Sequence, residues 1–256
     1  MVKKLIILIL CFCSVCGVSQ TKKHHFRQKE AGILAGGSYY LGDLNPRKHF
    51  IYSQPAAGIF FRYATSYRYA FRFGFNYGSV GASDSQSNEP DQLERNLNFK
   101  TEIYDLHAIA EFNFVDYRIG NDKHYFTMFI FAGIGGYYFN PKADLGNGYI
   151  DLNGLKTEGQ GSAYPRYQLN LPFGVGLKWN ITSIFGLGIE WGPRKLFTDY
   201  LDDVSSTYPN ITRGLSRGSP GYMRGNPRSK DWYFFYGMTL TMRLPKLNQE
   251  CHKEGF

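Results

Sequence analysis

The sequence predicts an all-β fold, an eight-stranded antiparallel transmembrane β-barrel of a bacterial outer membrane with long extracellular loops and short periplasmic turns. Three observations predict it. The chain starts with an export signal. Its body carries stretches of about eleven residues in which apolar side chains take every second position. The connections between these stretches alternate between long and short. Composition agrees: aromatics make up 17% of the 256 residues, and rings fit a pleated surface. The mean hydropathy is slightly negative, but every second residue of a membrane strand faces the lumen and is free to be polar.

The export signal comes first. Lys3 and Lys4 supply the positive start, and residues 5–18 are apolar apart from Ser14 and Gly17. That run is too short for a confident membrane helix. Gly17 and Ser19 form a small-x-small cleavage pattern, so residues 1–19 read as a signal peptide and Gln20 as the new N-terminus. A lipoprotein reading through Cys16 is disfavoured, because Cys13 and Val15 stand where a lipobox needs an aliphatic and a small residue. Cleavage removes Cys11, Cys13 and Cys16 and leaves Cys251 as a lone thiol, a candidate for an intermolecular disulfide with a partner. Loss of Lys3 and Lys4 lowers the net charge from +8 to +6. That dispersed excess does not point to nucleic acid.

The strands follow. Tyr67, Tyr69, Phe71, Phe73, Phe75 and Tyr77 alternate with Arg68, Ala70, Arg72, Gly74 and Asn76, giving one aromatic and one polar face. Phe occupies the middle and Tyr the ends, as expected where hydroxyls meet head groups. Leu169, Leu171, Phe173, Val175, Leu177 and Trp179 repeat the rhythm, as do Phe185 to Trp191, Trp232 to Met242 and Tyr104 to Phe114. A soluble sandwich also alternates, but its outward face is polar. The expected strands are 30–40, 54–63, 67–80, 101–115, 124–139, 166–179, 184–194 and 231–244. Long connections fall near 41–53, 81–100, 140–165 and 195–230, and short ones near 64–66, 116–123 and 180–183. An even strand number puts both termini in the periplasm, with 20–29 as an N-terminal stretch, 30–244 as the barrel and 245–256 as a C-terminal tail.

An eight-stranded barrel is just wide enough to be filled by side chains. Arg62, Arg68, Arg72, Lys178 and Arg243 fall on the inward face with Glu30, Asp105, Glu111 and Glu190. Charges there need partners. The expectation is a plugged lumen held by ion pairs, centred on Arg68, Arg72, Asp105, Glu111 and Glu190, and no diffusion pore.

No catalytic constellation stands out. A hydrolase needs a Ser or Cys nucleophile beside a His. Of the six histidines only His107 lies within a strand, flanked by Asp105 and Glu111 and without a neighbouring Ser. It reads as part of the filling. Zinc spacing is missing. Gly186, Gly188 and Gly192 precede no helix, which fails the context a dinucleotide site requires. Asn180-Ile181-Thr182 and Asn210-Ile211-Thr212 match the glycosylation triplet by chance. No cofactor and no metal are expected. The second long loop is acidic, with Asp84, Glu89, Asp91 and Glu94. The last carries Arg213, Arg217, Arg224, Arg228 and Lys230 without an acid over 205–230, a basic surface suited to lipopolysaccharide phosphates or an acidic partner, or a plain solvated loop.

The first strand and its loop read Glu30-Ala31-Gly32-Ile33-Leu34-Ala35-Gly36-Gly37-Ser38-Tyr39-Tyr40-Leu41-Gly42-Asp43-Leu44-Asn45-Pro46, and the last strand Asp231-Trp232-Tyr233-Phe234-Phe235-Tyr236-Gly237-Met238-Thr239-Leu240-Thr241-Met242-Arg243-Leu244. Both resemble the PorG family of Bacteroidetes outer-membrane barrels, a component of the type IX secretion system. The similarity covers the mature chain, and the Ser-Tyr-Tyr-x-Gly-Asp-Leu-Asn run is its most specific part. The resemblance implies a structural role: a barrel embedded in outer-membrane lipid that associates with periplasmic ring proteins like PorK and PorN. The expected function is thus a non-enzymatic anchor or adaptor of protein secretion. The alternatives are a generic barrel for membrane integrity or adhesion and a lipid A-modifying enzyme.

Overall fold

In the computed structural model, which describes residues 27–146, 148–209 and 221–245, the alternating stretches pair into a closed antiparallel barrel. Its strands are β1 (Gln28–Leu41), β2 (Gln54–Ala64), β3 (Tyr69–Ser83), β4 (Asn98–Asn113), β5 (Phe126–Asp144), β7 (Tyr167–Asn180), β8 (Phe185–Leu196) and β9 (Trp232–Arg243). The short β6 (Tyr149–Asp151) adds only to the far end of β5. Each barrel strand pairs with its sequence neighbour, and β1 closes on β9 from Glu30↔Arg243 to Leu41↔Trp232. Within the belt, closure leaves no free edge among the described strands, and a bilayer would not tolerate one.

Alternation decides which face each residue takes. In β3 the odd positions from Tyr69 to Tyr77 are exposed and the even ones from Ala70 to Ala82 buried. Outside the barrel, Ile59 is 62%, Phe73 60%, Ile134 69% and Leu169 70% exposed. A continuous apolar face of this kind belongs against lipid. Tyr77, Tyr104, Tyr138 and Tyr167 sit side by side on four strands, with ring centroids 5.1, 6.0 and 5.0 Å apart, as an aromatic girdle at one end. On β7, Tyr167 and Trp179 bracket the belt. At ~3.3 Å per residue and a tilt of ~40°, they are separated by about 30 Å along the barrel axis, one hydrocarbon thickness.

The connections at 65–68, 114–125 and 181–184 lie at one end, together with the start of β1 and the end of β9. The long connections lie at the other. Several strands run beyond the expected limits there, β5 to Asp144 and β3 to Ser83, because their ends pair above the belt. The second long loop is not featureless. It holds a short α1 (Pro90–Arg95) that starts at a proline and ends on Asn96 in the left-handed conformation, a common helix stop. The segments 1–19 and 20–26, the tail from 246 with Cys251, and loop residues 210–220 lie outside the described residues.

The expectation for Arg68 is corrected. β3 begins at Tyr69, because residues 65–68 close a tight turn in which the Thr65 and Ser66 amides donate to the Tyr69 carbonyl and Ser66 Oγ accepts from the Tyr69 amide. Arg68 is therefore on the rim, 53% exposed at its side chain and paired with Asp116 at 2.8 Å, not in the lumen.

Candidate functional site: the filled lumen and its cap

Inward positions of six strands converge on one buried charge cluster. Glu111 of β4 is its hub: its carboxylate meets Arg62 Nε at 2.8 Å, Arg72 Nε at 3.0 Å and Lys178 Nζ at 2.5 Å. Arg62 also reaches Glu30 at 3.0 Å, and Arg72 reaches Glu190 at 2.6 Å. Arg62 and Arg72 face each other directly across the β2–β3 ladder. Like charges so placed repel, and Glu111 between them turns the repulsion into two ion pairs. Aromatic faces complete the solvation: Phe60 lies under both guanidinium groups at 4.9 and 5.1 Å, and Phe129 under Lys178 at 4.0 Å. Room for these rings comes from facing glycines. A side-chain carbon at Gly176 would approach the Phe129 ring to 2.5 Å, and one at Gly174 the Phe131 ring to 2.6 Å.

Above this cluster, Asp105 gathers a second one. His107 Nδ1 lies 2.7 Å from one carboxylate oxygen. The Tyr233 hydroxyl and Asn170 Nδ2 donate to the other at 2.6 and 2.8 Å, and Arg194 Nε stands 3.8 Å away. Charges balance overall: Arg62, Arg72, Lys178 and Arg194 against Glu30, Asp105, Glu111 and Glu190. Among the described residues Asp105 is the hydrogen-bonding partner of the His107 ring.

The loops then close the end that carries the long connections. The Tyr40 hydroxyl lies 2.5 Å from Asp202 and 3.1 Å from Asp231, all three fully buried. Asp231 accepts the Leu201 amide, Asp202 accepts the Val204 amide, and Leu201 and Val204 pack with Leu44, Phe99 and Phe139 in the largest apolar cluster. Burial pushes the carboxyls of Asp202 and Asp231 well above the ordinary aspartate range, and that of Asp199 to about 6. Arg224 clasps two further loop segments, donating to Thr157 Oγ1 at 2.8 Å and the Asp203 carbonyl at 2.6 Å, with Glu158 at 3.4 Å. Arg95 pairs with Asp84 at 2.7 Å and donates to the carbonyls of Arg224 and Asp43. Among the described residues no group of three or more His, Cys, Asp or Glu is arranged to hold a metal ion.

Of the residues singled out in the sequence, the fold brings together Arg72, Glu111 and Glu190, puts Asp105 in the second cluster, and leaves Arg68 outside. Of the expected basic loop, Arg224 is buried in the cap, Arg228 is exposed, and Arg213 and Arg217 lie outside the described residues; in the acidic loop Asp84 is neutralised by Arg95. Sequence reasoning missed Arg194, whose even spacing from Glu190 placed it inward but which stood at an expected strand end. It also missed the adjacent acids Asp202 and Asp203. Their signal was the pair of apolar residues that flank them, Leu201 and Val204.

Residues 3–253 match a family model described as a domain of unknown function, DUF6089. A comparison with curated proteins gave no match. Solved structures of similar fold include Ail, the attachment invasion locus protein of Yersinia pestis, crystallised with a heparin analogue, at 12% identity and a TM-score of 0.44, covering 85% of this chain and 99% of that one. Neisserial surface protein A follows at 9% identity and 0.41, covering 85% and 97%. The N-terminal barrel domain of Pseudomonas aeruginosa OprF gives 11% and 0.38, covering 86% and 100%.

Proposed function

This chain belongs to the DUF6089 family, and from that premise we propose that it is an outer-membrane anchor and adaptor, neither channel nor enzyme, serving the type IX protein secretion machinery. One observation carries the reading. The lumen is filled by neutralised charges around Glu111 and covered by interlocked loops, so the barrel offers no conduit. Such a body presents surfaces: a lipid-facing belt, an outer cap and the end where β1 starts and β9 stops. The apolar belt supports an outer-membrane location, with the short turns and both termini in the periplasm. The resemblance of the first and last strands to the PorG family supports the finer role, association with periplasmic ring proteins like PorK and PorN through the tail 245–256. Cys251, in that tail, is the residue through which a covalent link would form.

Isolation from native membranes in mild detergent tests this. The full chain is expected to co-purify with periplasmic ring subunits, and a chain lacking 245–256 to lose them while remaining in the membrane. Non-reducing gels of the same membranes should show a higher-mass band that Cys251→Ser abolishes if the link is a disulfide. Retention of the same partners without the tail would overturn the adaptor reading and favour recognition through the outer cap.

A further inference from the structure

We propose that a groove outside the barrel, at the long-loop end of β7, β8 and β9, binds one phosphorylated lipid of the outer leaflet, with Lys195 and Lys230 holding its phosphate. The inference rests on the outer-membrane reading above and adds to it a specific ligand. The groove encloses about 740 Å³ and its barrel wall is formed by Phe173, Trp191, Pro193, Trp232 and Phe234. That volume is within the ~300–1,000 Å³ usual for small-molecule sites.

Two features of the fold make this notch at the long-loop end of the belt, and it differs from the wholly apolar groove of about 680 Å³ along β1, β2 and β3 in having lysines at its rim. The β7–β8 ladder is interrupted between Pro172↔Arg194 and Val175↔Trp191, where Pro193 has no amide to donate. The first long loop is split: its Leu44 packs into the cap, while its His49 and Phe50 fold down the outer face. His49 and Phe50 settle against Tyr39 at 5.8 and 4.8 Å, and Phe234 stacks on Tyr39 at 4.4 Å. On the opposite flank the tyrosine girdle is continuous. Here an acyl chain has a slot bounded by two tryptophans, the residues that favour the head-group boundary.

Charge selects the head group. Lys195 points outward at the top of the apolar face, its ammonium 4.4 Å over the Trp232 ring that lines the groove. Among the described residues no carboxylate pairs with it. Lys230 lines the groove with its side chain 39% exposed, donating to the Pro227 carbonyl at 3.4 Å and lying 3.9 Å from Asp199. The one carboxylate in the wall, Asp43, is turned toward the backbone, accepting the Asn226 amide at 2.9 Å. Two ammonium groups above an aromatic slot match a phosphate esterified to a hydrophobic body.

Native mass spectrometry of the full-length protein in detergent provides the test, with bis-phosphorylated lipid A, phosphatidylethanolamine and inorganic phosphate as probes. One lipid A per barrel is expected, bound about tenfold or more tighter than phosphatidylethanolamine and not displaced by inorganic phosphate. Lys195→Gln with Lys230→Gln should weaken lipid A binding about tenfold or more, whereas Lys100→Gln on β4 should not. Equal binding by the native protein and the double variant overturns the site. So does equal affinity for the two lipids, or displacement by inorganic phosphate. Insertion into lipid vesicles is measured alongside. Failure to insert removes the outer-membrane reading and the site with it, while normal insertion with undiminished lipid A binding by the double variant removes the site alone.

Discussion

Replacing Glu111 with Gln tests the physics of the lumen most directly. The substitution keeps shape and removes one negative charge that three cations share at 2.5–3.0 Å. Both Arg62 and Arg72 keep a second carboxylate, Glu30 and Glu190. Lys178 keeps only the Asn113 amide oxygen at 3.1 Å. The variant thus buries one uncompensated ammonium, a loss of about 3–5 kcal/mol. Lys178→Met in the same chain removes that excess charge, so the double variant should recover part of the loss, with a coupling of about 1–3 kcal/mol. Arg68→Ala serves as the surface control and should change stability by no more than about 1 kcal/mol, since its pair with Asp116 is half exposed. Equilibrium urea unfolding in lipid vesicles, followed by tryptophan fluorescence, measures the native chain, both single variants, the double variant and Arg68→Ala. Strict additivity of Glu111→Gln and Lys178→Met would refute the hub, as would a loss for Glu111→Gln no larger than that for Arg68→Ala.

Phe73→Arg, at a position 60% exposed in the middle of the belt, should destabilise the barrel by about 2–4 kcal/mol in the same vesicle assay; an unchanged midpoint would mean that this face does not meet lipid. The cap should respond to pH. Its aspartates have raised values in the folded state, so the stability they contribute is complete below the ordinary value of 3.8 and is lost as pH rises, through about 6 for Asp199 and through the raised values of Asp202 and Asp231. Limited proteolysis within 197–231 should therefore be faster at alkaline than at acidic pH, and Asp202→Asn, which stays neutral beside Tyr40, should flatten the difference; equal cleavage of the native chain at both ends of the range would contradict this.

The barrel was legible because its signals are local. A strand in a membrane barrel shows one face to lipid and one to the lumen, so period two is written along each stretch from Tyr69 to Tyr77 or from Leu169 to Trp179. The same rhythm marked Arg72, Asp105, Glu111 and Glu190 as inward. Turn chemistry escaped it: the Ser66 turn makes β3 begin at Tyr69, two residues later than the aromatic pattern, and carries Arg68 to the rim. What sequence could not give was which inward charges meet. Glu111 is hub to Arg62 and Lys178 because strand stagger and closure set β2 and β7 at one height across the lumen, a relation between residues far apart in the chain. The cap is the extreme case. Asp202, Asp231, Arg224 and Arg95 lie in loops without periodicity, and only the closed barrel brings those loops over one opening. There, each buried charge must find a partner or give up its ionisation. Sequence alone therefore determined the faces of the strands, through the pleat. Tertiary structure decided the pairs, because ion pairing depends on distance in space and the pleat specifies only direction.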